Sequence, residues 1–302
     1  PTDPDGLMRH YLLSPSDLEL IRTRRRDENR FGLAVHISLL RHPGQGWRDG
    51  VVLPAALLDW LGDQLHLRAS HLLNYASRGA TRAAHQALAM QCLDLAPFTK
   101  THMAVAEDIA TKAAFATDHG VKIVETLIAD LRKHHLVLPS VDTLERLALK
   151  GRARARREAA AALFDALSPE QRDQLQALLV NDPSVGQTRL TWLRGFPHST
   201  SPASMTALLD RLKYLRSLGL PPNLGHGLHP DRLLKFAREG AVAPVSLLND
   251  FGERRRIATV AAQIGYGSEA AFSAAFKRYA GIAPGAYRRG FVPHRSSESA
   301  QV

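Results

Sequence analysis

The 302-residue sequence predicts an all-α protein, with helical-bundle domains followed by a C-terminal helix-turn-helix. Three observations carry that expectation. Apolar residues recur at helical spacing along nearly the whole chain, with no alternating strand and no fixed-period repeat. Three segments open on Ser-Pro, at Ser14-Pro15, Ser168-Pro169 and Ser201-Pro202. Serine caps the free amides of a first turn, and proline at the first helical position loses nothing by lacking an N–H. Hydrophobic residues make up 45% of the chain, which is enough for a core.

The elements follow in order. Phe31 to Leu40 is apolar enough for a buried helix, stopped by Pro43-Gly44. Pro54, before Ala55 to Trp60, marks another helix start. Ala104 to Ala116 and Val121 to Leu131 read as helices separated by His119-Gly120. Leu144 to Leu167 is a long helix rich in alanine and arginine. Ser168 and Gln171 have the spacing of a capping box. Asn181 to Gln187 reads as a short polar linker, and Gly219 to Pro230 holds too many glycines and prolines for regular helix. The tail after Pro293 reads as disordered.

Charge points to a polyanionic partner. The formal net charge is +10, and from Glu253 onward eight Arg or Lys face three Glu. The lone Cys92 excludes an intramolecular disulfide and fits a reducing cytosol. No apolar run approaches the roughly 20 residues that span a bilayer, and Pro1 to Arg9 has no signal-peptide core. The expected location is therefore cytoplasmic.

The most specific local pattern lies near the C-terminus. Val260, Ala261 and Ile264 share one helical face, Gly265 suits a left-handed cap, and Ser268 suits the N-cap of a following helix. Phe272, Phe276 and Tyr279 recur at i, i+4 and i+7 and should pack back on the first helix. Ser268, Glu269, Ser273 and Lys277 are then left to face a groove. Arg278, Arg288 and Arg289 are placed for phosphates, the last two at the end of a short helix begun by Pro284. Val260-Ala261, Gly265-Tyr266, Ser268, Phe272, Phe276-Lys277-Arg278, Gly281, Pro284 and Tyr287-Arg288 resemble the second half of the DNA-binding domain of AraC/XylS transcription regulators. Ala274 stands where that family usually carries an arginine, and the family's first motif is not found at 200–250.

The rest of the chain resembles a second family. Arg24-Arg25-Arg26, Asn29-Arg30, Gly32, Ala34, Leu40-Arg41 and Pro43-Gly44 are followed by Leu138-Pro139, Thr143 to Leu147, Trp192-Leu193-Arg194 and Arg238-Glu239-Gly240. Over about residues 10–255 their order and spacing are similar to the N-terminal region of Tn-three-family transposases. That resemblance implies a helical region that binds terminal inverted repeats, with the catalytic domain of those enzymes expected to be absent here. It makes Arg24, Arg25, Arg26, Arg30, Arg152 and Arg156 candidate DNA contacts beside the C-terminal residues. A solvated basic face is the alternative for such runs.

Other chemistries find little support. The 14 histidines do not form a zinc pattern with Cys92 or the carboxylates. His226 and His229 are expected to be capping or surface groups. No Gly-x-Ser-x-Gly elbow occurs, and Gly44-Gln45-Gly46 lacks the Gly-Lys-Ser/Thr of a phosphate loop. Asp108, Asp118, Glu125 and Asp130 read as scattered carboxylates. Trp60, Trp192, Phe98 and Phe115 read as core.

The expectation is thus a non-enzymatic protein that binds double-stranded DNA, with no cofactor, no metal, no small-molecule ligand and no membrane partner. Its expected domains are 1–165, 166–252 and 253–302. A regulator, a transposase remnant without a present role, and a DNA-binding chain served by a separate catalytic partner all remain open.

Overall fold

In the computed structural model, residues 3–48, 51–75, 79–195, 201–267 and Lys277 are described. They are helical almost throughout, so the all-α expectation holds. The chain divides into two units. The first comprises Pro1–Ala114 and His119–Arg152; the second comprises Phe115–Asp118 and Ala153–Val302.

The helices of the first part of the chain are α1 (Pro4–Tyr11), α2 (Pro15–Arg22), α3 (Asp27–Arg41), α4 (Ala55–Leu65), α5 (Gly79–Cys92), α6 (Lys100–Ala116) and α7 (Gly120–Lys133). Then comes α8 (Val141–Asp165), whose residues up to Arg152 belong to the first unit. A 3-10 turn, Ala69–Asn74, precedes α5. The core is built round α3, which is buried on nearly every side from Phe31 to Ser38. Its neighbours contribute Leu7, Tyr11, Ile21, Leu57, Leu61 and Ala89. Such all-round burial follows from an almost unbroken apolar run. Gly32 matters here because a methyl group on it would overlap the Tyr75 ring. Ser14 and Asp17 form a full capping box at the start of α2, and the same buried Asp17 accepts both of its 2.9 Å bonds from Arg41 Nη2. In α7, Ile123, Leu127 and Leu131 bury one stripe at intervals of four.

The second unit holds the rest of α8 and then α9 (Pro169–Ala177), β1 (Asn181–Asp182), β2 (Gln187–Thr188), α10 (Arg189–Arg194), α11 (Pro202–Ser217), α12 (Pro230–Val242), α13 (Val245–Asn249) and α14 (Glu253–Ala262). A π-helical turn, Gln263–Gly267, follows. Ser168 and Ser201 cap α9 and α11 as expected, and Ser168 with Gln171 completes the capping box. The polar linker at 181–187 is a small antiparallel hairpin in which Asn181 pairs with Thr188 and Asp182 with Gln187. Two-residue strands bury too little to leave an alternating pattern in the sequence. His229 caps α12, accepting from the Asp231 amide at 3.3 Å.

One expected helix sits differently from its reading. The helix carrying Val260, Ala261 and Ile264 is present, but Ile257 to Ala262 are buried on every side rather than along one face. Leu175, Leu178, Leu190 and Leu248 share its core, and Phe236 and Ala237 of α12 pack against Ala258 and Ala262. Small residues allow this: a methyl on Gly240 would lie 2.7 Å from the Thr259 carbonyl oxygen. Gly265 lies inside the π-helical turn without the left-handed φ that a cap would require, because the helix widens there instead of ending.

Candidate nucleic-acid interface

In the first unit four of the candidate arginines lie at the junction of α2 and α3, with Arg24, Arg25 and Arg26 in the connection and Arg30 in the first turn of α3. Arg22, Arg25 and Arg26 are exposed, and Arg24 and Arg30 are half-buried. Arg24 donates through Nε and Nη2 to Thr23 Oγ1 at 3.0 and 2.9 Å. Arg30 donates to the Arg24 carbonyl at 2.8 Å and to Asp27 at 3.2 Å, so it braces the turn. Arg26 lies 3.8 Å from Glu28. Arg22 and Arg25 have no carboxylate partner among the described residues. The N-cap of α3 is Arg26, whose side chain caps nothing. Free amides and arginines thus sit together at a helix amino end, which suits a phosphate.

In the second unit Arg156 and Arg232 are arranged round one carboxylate. Asp118, with a side chain 17% exposed, accepts from Arg156 Nε at 3.1 Å and Arg232 Nη1 at 2.6 Å, with Lys235 Nζ at 3.4 Å. A second Arg156 bond, from Nη2, completes a bidentate pair. The Arg232 side chain is only 1% exposed. Burial pushes the Asp118 carboxyl up, but hydrogen bonds and charge from Arg156 and Arg232 together outweigh it and hold it well below the usual carboxylate range. The hydrogen bond to Asp118 likewise raises the Arg156 guanidinium.

Beside this cluster is a cavity of about 630 Å³ walled by α8, α12 and the start of α14. Its rim carries Arg157, Lys235, Arg254 and Arg255, and its floor is Ala160 and Phe236. Six cationic side chains and two carboxylates line it. One of those, Glu239, is held by Arg255 at 2.5 Å. The arrangement offers positive charge and hydrogen-bond donors to an anion. Among the described residues no group of three His, Cys, Asp or Glu is placed to hold a metal ion.

Of the sequence-derived candidates, Arg24, Arg25 and Arg26 therefore share the α2–α3 connection, with Arg30 in the first turn of α3. Arg156 belongs to the second unit and is bound into the Asp118 cluster, and Arg152 lies half-buried one turn earlier on α8. Ser268, Glu269, Ser273, Arg278, Arg288 and Arg289 lie outside the described residues; Lys277 is helical and exposed. The roles of Asp118, Arg232 and Lys235 were not legible locally, because Asp118 and Arg232 are 114 positions apart. No helix among the described residues is long and apolar enough to cross a membrane.

Comparison with known proteins places these surfaces in context. Residues 1–151 match the family model described as Domain of unknown function (DUF4158). Over 264 residues, 87% of this chain, it is 34% identical to the transposase for transposon Tn501 of Pseudomonas aeruginosa, covering 27% of that protein. It is also 34% identical over 264 residues to the transposase for transposon Tn3926 of Escherichia coli, covering 26% of it. The transposase for transposon Tn1546 of Enterococcus faecium is 29% identical over 258 residues, 85% of this chain and 26% of that one. The resemblance to Tn-three-family transposases is borne out across most of the chain. The chain spans about a quarter of the length of these curated relatives.

Proposed function

We propose that the chain, which belongs to the family described as Domain of unknown function (DUF4158), is a transposase-related DNA-binding protein that reads transposon-end repeats. The observation that carries this reading is the α2–α3 turn. There Arg22 and Arg25 present unpaired charge beside the uncapped amino end of α3. The relatives being transposases supports the choice of DNA over other polyanions.

In this reading the C-terminal motif adds a second contact of AraC type. Ser268, Glu269, Ser273 and Lys277 face a groove, while Arg278, Arg288 and Arg289 meet phosphates. Two linked contacts gain avidity even if each is weak. Occupation of transposon ends, or of a promoter, is then a regulatory act. Lys277 is helical and exposed, as such a contact requires.

The test is fluorescence anisotropy on the full chain, with terminal-repeat and scrambled duplexes at two salt concentrations. We expect tighter binding to the repeat that persists at the higher salt. The double variant R22A/R25A should bind both duplexes more weakly, and the slope of log affinity against log salt should shrink by about 2. Equal, salt-erased binding to both duplexes would refute sequence reading. An unchanged slope in the double variant would remove the α2–α3 turn from the interface.

A further inference from the structure

The first unit contains a second feature besides the α2–α3 turn. A cavity of about 520 Å³ lies between the loop after α3, the α5 helix and the amino ends of α6 and α8. That volume is within the range of small-ligand sites. Three cations stand on its rim, Arg48, Lys100 and Arg146, and all are exposed. No carboxylate lines it, and none of the three is ion-paired among the described residues. Arg146 instead rests on its own helix, donating to the Asp142 carbonyl and to Thr143 Oγ1 at 3.3 Å each.

The walls have a different character. Phe98, Met90 and Met103 give an apolar, polarisable surface. Trp47 borders it and is fixed in place by stacking on Tyr75 at 5.7 Å and by the Arg82 guanidinium 4.6 Å from its ring centre. Gln86 lines the same space, half-buried, and makes no hydrogen bond among the described residues. Its amide lies 2.7 Å from where a methyl on Gly46 would be, so glycine there leaves the amide room.

We propose that this cavity binds a single adenine nucleotide, with its phosphate on Arg48, Lys100 and Arg146 and its base against Phe98 and the two methionines. Only cations on the rim select an anion. A flat apolar wall selects a planar body, since aromatic surfaces stack on any base. A side-chain amide with both donor and acceptor open matches the paired donor and acceptor on an adenine edge. A free nucleotide and an unpaired adenine in a DNA strand share this chemistry.

Isothermal titration of the full chain tests it, with dAMP, inorganic phosphate, a fully paired duplex and the same duplex carrying one unpaired adenine. dAMP should bind at least about tenfold more tightly than phosphate. Lys100→Ala and Arg146→Ala, both at exposed positions, should each weaken dAMP about tenfold, as expected for loss of a charge-assisted bond. Arg157→Ala in the second unit should not. Preference for the unpaired-adenine duplex over both dAMP and the paired duplex sustains the proposal with DNA as the source. Preference for dAMP sustains it with the free nucleotide. If dAMP binds no better than phosphate, or if both variants leave it unchanged, the proposal is overturned. In the proposed function, on which this control rests, binding of the paired duplex is expected to depend on Arg22 and Arg25, so its loss or survival reports separately on that reading.

Discussion

The two units bury a basic side chain in opposite ways. In the first, His36 is fully buried, and neither ring nitrogen has a hydrogen-bond partner among the described residues. Its neighbours are rings, Trp47 at 5.6 Å and Tyr75 at 6.2 Å, and Tyr75 in turn bonds His85 at 2.9 Å. Burial, then the charges of His85 and Arg82, lowers the His36 pKa to about 4, so it is kept neutral. In the second unit, Arg232 is equally enclosed but charged, and Asp118 is brought in to match it. The lesson is that burying a titratable group leaves two routes, discharge or pairing, and each fixes a different response to mutation and acid.

The largest effect should come from the paired site. Asp118→Asn leaves the enclosed Arg232 without its carboxylate, and breaking one side of a buried pair costs about 3 kcal/mol or more. Urea denaturation followed by Trp192 fluorescence should register that loss. A change under about 1 kcal/mol would mean that solvent or other groups compensate Arg232, and the contrast would collapse.

Acid should separate the units next. The folded-state pKa of His36 is depressed, so the stability it permits is complete above the unfolded value near 6.5 and is lost as pH falls toward about 4. That interval corresponds to about 3 kcal/mol at its lower end. The Asp118 carboxyl is depressed as well, but for an acid the contribution stays intact until pH drops below the ordinary carboxylate range, near 4. Between pH 6.5 and 4.5 the first unit should therefore weaken while the second does not. The comparison is made with the Trp192→Phe protein, which reports through Trp47 and Trp60, and His36→Phe should flatten the response. Greater weakening of the second unit in this window would reverse the assignment.

The smallest effect on folding sharpens the contrast from the solvent side. Arg25→Ala removes an exposed charge with no carboxylate partner and should change stability by less than about 0.5 kcal/mol. The salt slope of DNA binding should nonetheless fall by roughly 0.9. Loss of stability without a change in slope would show a structural arginine rather than a contact.

Much of the fold could be read from local signals. Ser14, Ser168 and Ser201 each cap a helix whose first residue is proline, because capping is settled within four residues. The run from Phe31 to Leu40 announced the buried α3 for the same reason. The sites were less legible. Arg156 was found as part of a basic run, but the run gave no sign that this arginine alone would be claimed by Asp118. Phe98 was read as core and is instead half-buried on a cavity wall. Such roles depend on contacts that no spacing rule encodes. The burial of α14 was hidden for another reason: alanine and threonine look neutral in a pattern, yet they are what lets α12 come close.

That burial also bears on how the C-terminal motif is to be removed. A cut at residue 253 would strip Ile257 and Val260 from the second core, whereas a cut after Gly267 would spare them. A chain truncated after Gly267 should therefore keep its repeat binding, whereas one cut at 253 should lose the second core.

The glycines at close backbone approaches carry a consequence in population terms. A methyl at Gly151 would lie 2.6 Å from the Ala110 carbonyl carbon, and Gly240 is similarly hemmed by the Thr259 backbone. Every single-base change in the first two positions of a glycine codon adds a side chain or a stop. A gene drifting without selection would shed these two residues as fast as any others, whereas one whose product must fold would keep them. Natural variation at this locus thus reports whether the protein is a remnant. Substitutions at 151 and 240 as frequent as at Gly79 and Gly120, where an added methyl would meet nothing within 4 Å, would mark decay, and their absence would mark a molecule still in use.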